Sequence, residues 1–292
     1  MEKHQINFKT ASFHQHGWLY QYPSSSLTPD PRRLILVHGA GVAGELTWTF
    51  ITNYLTEWDE VLVVDLADMG GSRFLIPPSQ PQVRDFALQL AELTEALDWS
   101  EFDIAGYSFG GMVVVDYLQH YYSLLAGNDF SGLVFLLEPA MLFSSRLEHL
   151  QQKAAEYANI ADALLERPDD LDVYRMFLDS VSPNRKTNPQ AEQLTMKRLQ
   201  DRPESFARVL RAVNAYLNQN LTVFVDWVSP WPGVSFVGGL APEPMKQRHQ
   251  KLAADASCWD YHEVAGADHS LVFTKPRGIA RKMNEKKLTV VI

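Results

Sequence analysis

The chain of 292 residues holds a single cysteine, Cys258. One thiol can form neither an internal disulfide nor a cysteine-built zinc cage. Long apolar runs are missing too. The longest, Leu34–Val37, Val61–Val64 and Leu133–Leu137, fall far short of the roughly 20 residues a membrane-spanning helix needs. The polar opening, Met1 to Thr10, has no apolar stretch of the kind a secretory leader carries. These absences set the expectation of a cytoplasmic protein with no membrane span. Basic runs are also lacking: 26 lysines and arginines stand against 35 acidic residues, a formal charge of −9, which argues against a nucleic-acid partner. Close acidic pairs such as Asp65 with Asp68 and Asp169 with Asp170 come without any His-x-x-x-His spacing. We therefore expect no metal and no cofactor, and read these carboxylates as loop turns and solvated faces.

What is present is core-forming material, 46% hydrophobic and 11% aromatic. Gln5–Phe8 and Gly17–Tyr20 alternate as exposed hairpin strands do, and a Pro/Ser-rich loop follows over 23–31. The pattern then changes to short continuous apolar runs, Leu34–Val37, Val61–Val64, Phe102–Ala105 and Leu133–Leu137, which suit strands buried on both faces. Val83, Phe86, Leu90, Leu93 and Leu97 mark a helical stripe between them. Strand and helix in alternation imply a parallel sheet with right-handed crossovers. From about Met141 to Gln219 the strand signal vanishes, and stripes such as Phe206, Val209, Leu210, Val213 and Leu217 take over. Strands return at Val234–Val237 and Tyr261–Val264, with helices over 243–254 and 276–286. A core of residues 1–140 and 230–292, interrupted by a helical insertion over 141–229, is the expected organisation.

The strongest chemical signal is Gly106-Tyr107-Ser108-Phe109-Gly110, a G-x-S-x-G placed between a strand and an expected helix over Met112–Gln119. So sharp a turn needs glycine where neighbouring backbone crowds it, and it lifts the Ser108 hydroxyl to the positive end of a helix. His38-Gly39-Ala40-Gly41 follows another strand, and its glycines let a main-chain N–H face the place where an oxyanion forms. Ala40 and Phe109 are the expected donors. A nucleotide-binding turn is the weaker reading of that loop, because it lacks the third glycine of a dinucleotide fingerprint and the lysine of a P-loop.

These two segments, in this order, resemble the α/β-hydrolase family. Val63–Leu66 followed by Met69-Gly70-Gly71-Ser72 is similar to the loop after the family's fourth strand, with Ala67 and Asp68 where a proline and a glycine are usual. Val264-Ala265-Gly266-Ala267-Asp268-His269 resembles the loop carrying the catalytic histidine. The resemblance implies an α/β fold with a mostly parallel eight-stranded sheet, helices on both faces and an inserted helical lid. Of the nine histidines it singles out His269 as the base, since a neutral imidazole can accept and return the Ser108 proton. The acid departs from pattern: Ala241 stands where the family usually has aspartate. Glu138, ending a buried strand and followed by Pro139, is the favoured substitute, with Glu243 as the alternative.

A serine nucleophile argues against the dehalogenase and epoxide hydrolase branches, which attack with aspartate. Tyr107, Met141, Leu142, Phe143 and Trp227, with Phe109 and Trp231 nearby, suggest an apolar pocket for a small molecule. The expected activity is hydrolysis of a small-to-medium apolar acyl ester, thioester or lactone. Carbon–carbon bond hydrolysis on the same machinery and a noncatalytic ligand-binding member are the alternatives.

Overall fold

The computed structural model describes residues 1–23, 30–127 and 129–287. Most of the Pro/Ser-rich loop expected over 23–31 lies outside them. The chain opens with an antiparallel hairpin, β1 (Glu2–Lys9) and β2 (Phe13–Gln21). There follow β3 (Arg33–Val37), α1 (Gly44–Thr52), β4 (Glu60–Val64), β5 (Arg73–Phe74), α2 (Val83–Ala96), β6 (Asp103–Tyr107) and α3 (Phe109–Tyr117). After a π turn over Leu118–Tyr122 come α4 (Ser123–Ala126) and β7 (Val134–Leu137). Four helices then run without a strand: α5 (Leu147–Glu166), α6 (Leu171–Val181), α7 (Pro189–Leu199) and α8 (Pro203–Asp226). The chain returns through β8 (Gly233–Gly238), α9 (Glu243–Asp255), β9 (Trp259–Val264), α10 (Leu271–Thr274) and α11 (Pro276–Glu285).

The sheet runs β1-β2-β4-β3-β6-β7-β8-β9, with β1 and β2 antiparallel and β4 through β9 parallel to one another. It has nine strands rather than the expected eight, because the short β5 pairs with β2, Phe74 facing Phe13. Two residues between turns carry no periodicity, so nothing in the sequence marks that strand. Continuous apolar runs became strands for the anticipated reason: β6, β7 and β8 are buried at every position, with helices over both faces. One face packs β3, β4 and β6 side chains against α2 and α3. The opposite face closes over Trp48, Ile51, Ile279 and Met283 of α1 and α11. The first face extends into the α5–α8 insert through Tyr157, Phe206 and Leu210, so insert and core share one apolar interior.

The helix after Ser108 begins at Phe109, three residues before the expected start, because the turn is tight enough for Ser108 itself to be its N-cap. Glycines at 110 and 111 masked that first turn from a periodicity argument. In the insert, α5 and α8 pack along their lengths, and α8 breaks helical geometry at Asn220 (φ −124°, ψ 17°). No helix among the described residues is long and apolar enough to cross a membrane.

Candidate active site

The parallel strands deliver three side chains to one place at their C-terminal ends. Ser108 follows β6 with φ 54° and ψ −118°, a conformation L-residues rarely take and one that local hydrogen bonds enforce. Its N–H donates to the Leu137 carbonyl at 3.0 Å, and its carbonyl accepts from Gly111 and Ala140, each at 3.0 Å. Only glycine fits on either side. A Cβ on Gly106 would stand 2.6 Å from the Gly110 carbonyl oxygen, and one on Gly110 would stand 2.5 Å from that of Val37.

His269, in the turn after β9, holds Nε2 3.1 Å from the Ser108 Oγ and Nδ1 2.7 Å from the Glu138 Oε2. Glu138, the residue after β7, has φ 42°, again in the left-handed region, and is 1% exposed. Its other oxygen accepts the Gly238 N–H at 2.7 Å. A buried carboxylate is costly without partners, and these two satisfy one oxygen each. The pair also sets the proton inventory. An ionised carboxylate only accepts, so Nδ1 carries the hydrogen and Nε2 is left as an acceptor for the serine proton.

Glu243 is remote from this chemistry. It begins α9 with its side chain exposed and lies 3.2 Å from Lys246. Ala241, at the family's usual acid position, is buried against Val237 and Met245. Arg146, a conceivable ion-pair partner for Glu138, sits beside Glu148 at 3.7 Å instead.

The loop after β3 lies directly against the serine: a Cβ on Gly39 would stand 3.2 Å from the Ser108 Cβ. The Ala40 N–H makes no hydrogen bond among the described residues. Phe109 is the first residue of α3, so its N–H has no intrahelical carbonyl to meet. Ala40 and Phe109 thus lie on the two segments that flank Ser108, each with an N–H that meets no main-chain carbonyl among the described residues. His38 holds their loop in place. Its Nδ1–H donates to the Gly39 carbonyl at 2.7 Å, and its Nε2 accepts the Leu66 N–H at 2.9 Å. Complete burial lowers its pKa and keeps it neutral, as that double duty requires.

The family model described as "Alpha/beta hydrolase family" matches residues 34–282. The chain belongs to that family. The comparison with curated protein sequences finds no significant match. Among solved structures, the epoxide hydrolase CorEH superposes with a TM-score of 0.70 at 16% identity, covering 97% of each chain. A thermophilic esterase from Thermogutta terrifontis, solved with malate bound, gives 0.66 at 15% identity, again over 97% of each chain. The 2-hydroxy-6-oxo-6-phenylhexa-2,4-dienoate hydrolase from Rhodococcus sp. strain RHA1 gives 0.67 at 17% identity and the same coverage. Identities this low speak to the shared fold.

Other residues of this α/β hydrolase stand where the sequence did not put them. Tyr107, expected in the pocket wall, lies with its ring 5.1 Å from the His269 ring and donates its hydroxyl to the His269 carbonyl at 2.8 Å. The same ring joins the core on the other face of the sheet, its centroid 6.5 Å from that of Phe273. Burial, followed by the charge of Glu138, pushes its pKa well up, so it stays a donor. Trp227 is not near Ser108 at all. Its ring centroid lies 6.5 Å from those of Trp231 and Trp259, at the N-terminal ends of β8 and β9, the end of the strands opposite Ser108. A tryptophan at a helix end reads equally well as pocket wall or core plug, and only the topology separates the two.

Met141 and Leu142 are fully buried in the shared interior, while Phe143 is half-buried at the seam with the insert, 6.2 Å from Tyr157. A separate cleft of about 330 Å³ opens between the loops after β3 and β4 and the α7–α8 part of the insert, lined by Gly41, Leu46, Met69, Arg202 and Phe206 among others; neither Ser108 nor His269 lines it.

Asp65 corrects the expectation of a solvated loop acid: it is 2% exposed and accepts from the Gly44 N–H at 2.7 Å, the Gly71 N–H at 2.8 Å and His16 Nδ1 at 2.6 Å. It ties the loops after β3 and β4 together. Asp170 caps α6 by accepting the Asp172 N–H. Among the described residues, no group of three or more His, Cys, Asp or Glu side chains is placed to hold a metal ion.

Proposed function

We propose that this chain is a serine hydrolase that cleaves a small-to-medium apolar acyl ester, thioester or lactone through an acyl-enzyme on Ser108. The observation that carries the reading is the unbroken chain Ser108 Oγ, His269 Nε2, His269 Nδ1, Glu138 Oε2, with separations of 3.1 and 2.7 Å at its two hydrogen bonds. In the first half-reaction Ser108 Oγ attacks the substrate carbonyl carbon while its proton passes to His269 Nε2. The carbonyl π electrons move onto oxygen, where the Ala40 and Phe109 N–H groups meet the new charge. The imidazolium, held by Glu138, returns the proton to the leaving alkoxide or thiolate as the C–O or C–S bond breaks. In the second half a water gives its proton to His269, its oxygen attacks the acyl carbon, and Ser108 departs reprotonated. A lactone follows the same course with its leaving group still tethered.

The acid is assigned to Glu138 rather than Glu243. Glu138 is buried and bonded to the imidazole; Glu243 is exposed and paired with a lysine. We assign the insert over 141–229 as a lid: Ser108 is 8% exposed and the His269 side chain 11%, so substrate must pass an element that covers them. Shielding from water also strengthens each electrostatic contact in the transition state.

The test is a panel of p-nitrophenyl esters of graded chain length, with thioesters and lactones alongside, run on wild type and Ser108→Ala. Turnover of at least one class by wild type and none by the variant supports the reading. Equal turnover by both proteins defeats it.

A further inference from the structure

We infer that the lid places the catalytic histidine as well as covering it, with Ser182 as a positioning residue that makes lid closure and triad assembly one event. This rests on Ser108 and His269 acting as nucleophile and base. The His269 main chain is held from two sides. Its carbonyl accepts the Tyr107 hydroxyl, which belongs to the core. Its N–H donates to the Ser182 Oγ at 3.2 Å, and Ser182 belongs to the insert, at the end of α6. Among the described residues that is the only hydrogen bond made by this N–H.

Ser182 is itself rigidly set within the insert. Its N–H donates to the Leu178 carbonyl at 2.8 Å, and its carbonyl accepts from both the Arg185 N–H and the Arg185 guanidinium at 3.2 Å. That guanidinium is nearly buried and lies 2.6 Å from Asp179 and 2.8 Å from Glu192, joining the end of α6 to α7. Two residues on, the Asn184 amide donates to the Leu240 carbonyl at 3.2 Å. Leu240 in turn donates its N–H to the Ala267 carbonyl at 2.8 Å, within the turn that carries His269. The insert therefore grips both neighbouring turns of the histidine. An insert that swings away takes the acceptor for the His269 N–H with it and leaves this residue's hydrogen bonds to Tyr107, Glu138 and Ser108 alone. Catalytic groups lose rate steeply when alignment slackens, even where substrate contacts are unchanged.

Ser182→Ala removes the acceptor and little volume; Ser182→Thr keeps it. With p-nitrophenyl butyrate we expect Ser182→Ala to lose roughly five- to tenfold in kcat, the equivalent of one neutral hydrogen bond, with KM within about twofold of wild type. The rate of reaction with a fluorophosphonate falls by the same factor, since it needs the same base, and Ser182→Thr recovers most of both. Melting curves of the two variants check that each is folded. An unchanged kcat in Ser182→Ala, a loss confined to KM, or equal loss in the alanine and threonine variants overturns the inference while leaving Ser108 as nucleophile. Failure of the underlying reading is a separate result, Ser108→Ala turning over at the wild-type rate.

Discussion

Glu138→Gln isolates the contribution of the acid without changing side-chain shape. In the wild type Oε1 takes the Gly238 N–H and Oε2 faces His269 Nδ1, each at 2.7 Å. A glutamine has one acceptor oxygen for these two donors. If it keeps Gly238, its NH2 points at the imidazole, which must shift its hydrogen to Nε2 and can no longer accept the Ser108 proton. If it keeps the imidazole, its NH2 meets the Gly238 N–H and leaves a buried donor unmet. Either way the imidazolium formed during attack loses a carboxylate 2.7 Å away. At an effective dielectric of about 20 that attraction is worth about 6 kcal/mol. Loss of the correct histidine tautomer in a serine-protease triad costs about 10⁴ in turnover, which corresponds to about 5.4 kcal/mol, a figure of the same size. We expect Glu138→Gln to lower kcat on a p-nitrophenyl ester by roughly 10³- to 10⁴-fold, and Glu243→Gln to change it by less than about twofold. A folded Glu138→Gln enzyme keeping more than about a tenth of wild-type kcat would refute the reasoning, and the reverse ranking of the two variants would move the acid to the β8 end.

Other consequences follow from the same geometry. Ser108→Ala should abolish turnover and leave the melting temperature within a few degrees of wild type, since the residue's strain resides in the backbone; a large loss of stability would show the hydroxyl to be structural. Gly110→Ala puts a methyl group against the carbonyls of Val37 and His38 and should yield insoluble or strongly destabilised protein, so a soluble, fully active variant would contradict the close approach described. His249 is fully buried with neither ring nitrogen hydrogen-bonded among the described residues, and burial pushes its pKa down to about 3. The unfolded chain binds this proton below about pH 6.5 while the native state refuses it, so stability is full above that pH and falls as pH drops toward 3, by about 1.4 kcal/mol per pH unit. Denaturant titrations at pH 7 and 5 should show a shallower dependence in His249→Leu, and parallel slopes in the two proteins would exclude this cause.

Much of the architecture was legible because doubly buried strands leave an unmistakable composition. Leu34–Val37, Val61–Val64 and Leu133–Leu137 have no polar face to alternate with, and each became a central strand. The Ser108 turn was legible for a steric reason: glycines were needed where backbones meet. Glu138 could be nominated because an acid ending an apolar run needs a partner, but its left-handed φ and its bond to Gly238 come from strands distant in sequence. The same limit hid the service of Tyr107 and Ser182 to His269 and of His38 to the Ala40 loop. Each joins segments far apart along the chain, and composition does not record who meets whom. Trp227 failed for the converse reason: it lies in the insert by sequence yet beside the N-terminal ends of β8 and β9 in space, away from the strand ends that carry Ser108 and Glu138.

The central claim is that one serine hydroxyl, Ser108, is made nucleophilic by His269. Incubation with a fluorophosphonate, followed by intact-mass measurement and peptide mapping, tests it most directly. We expect one adduct per chain, on the peptide carrying Ser108, absent in Ser108→Ala and formed far more slowly in His269→Ala. No adduct on the folded wild-type protein, or an adduct on another residue, would contradict it.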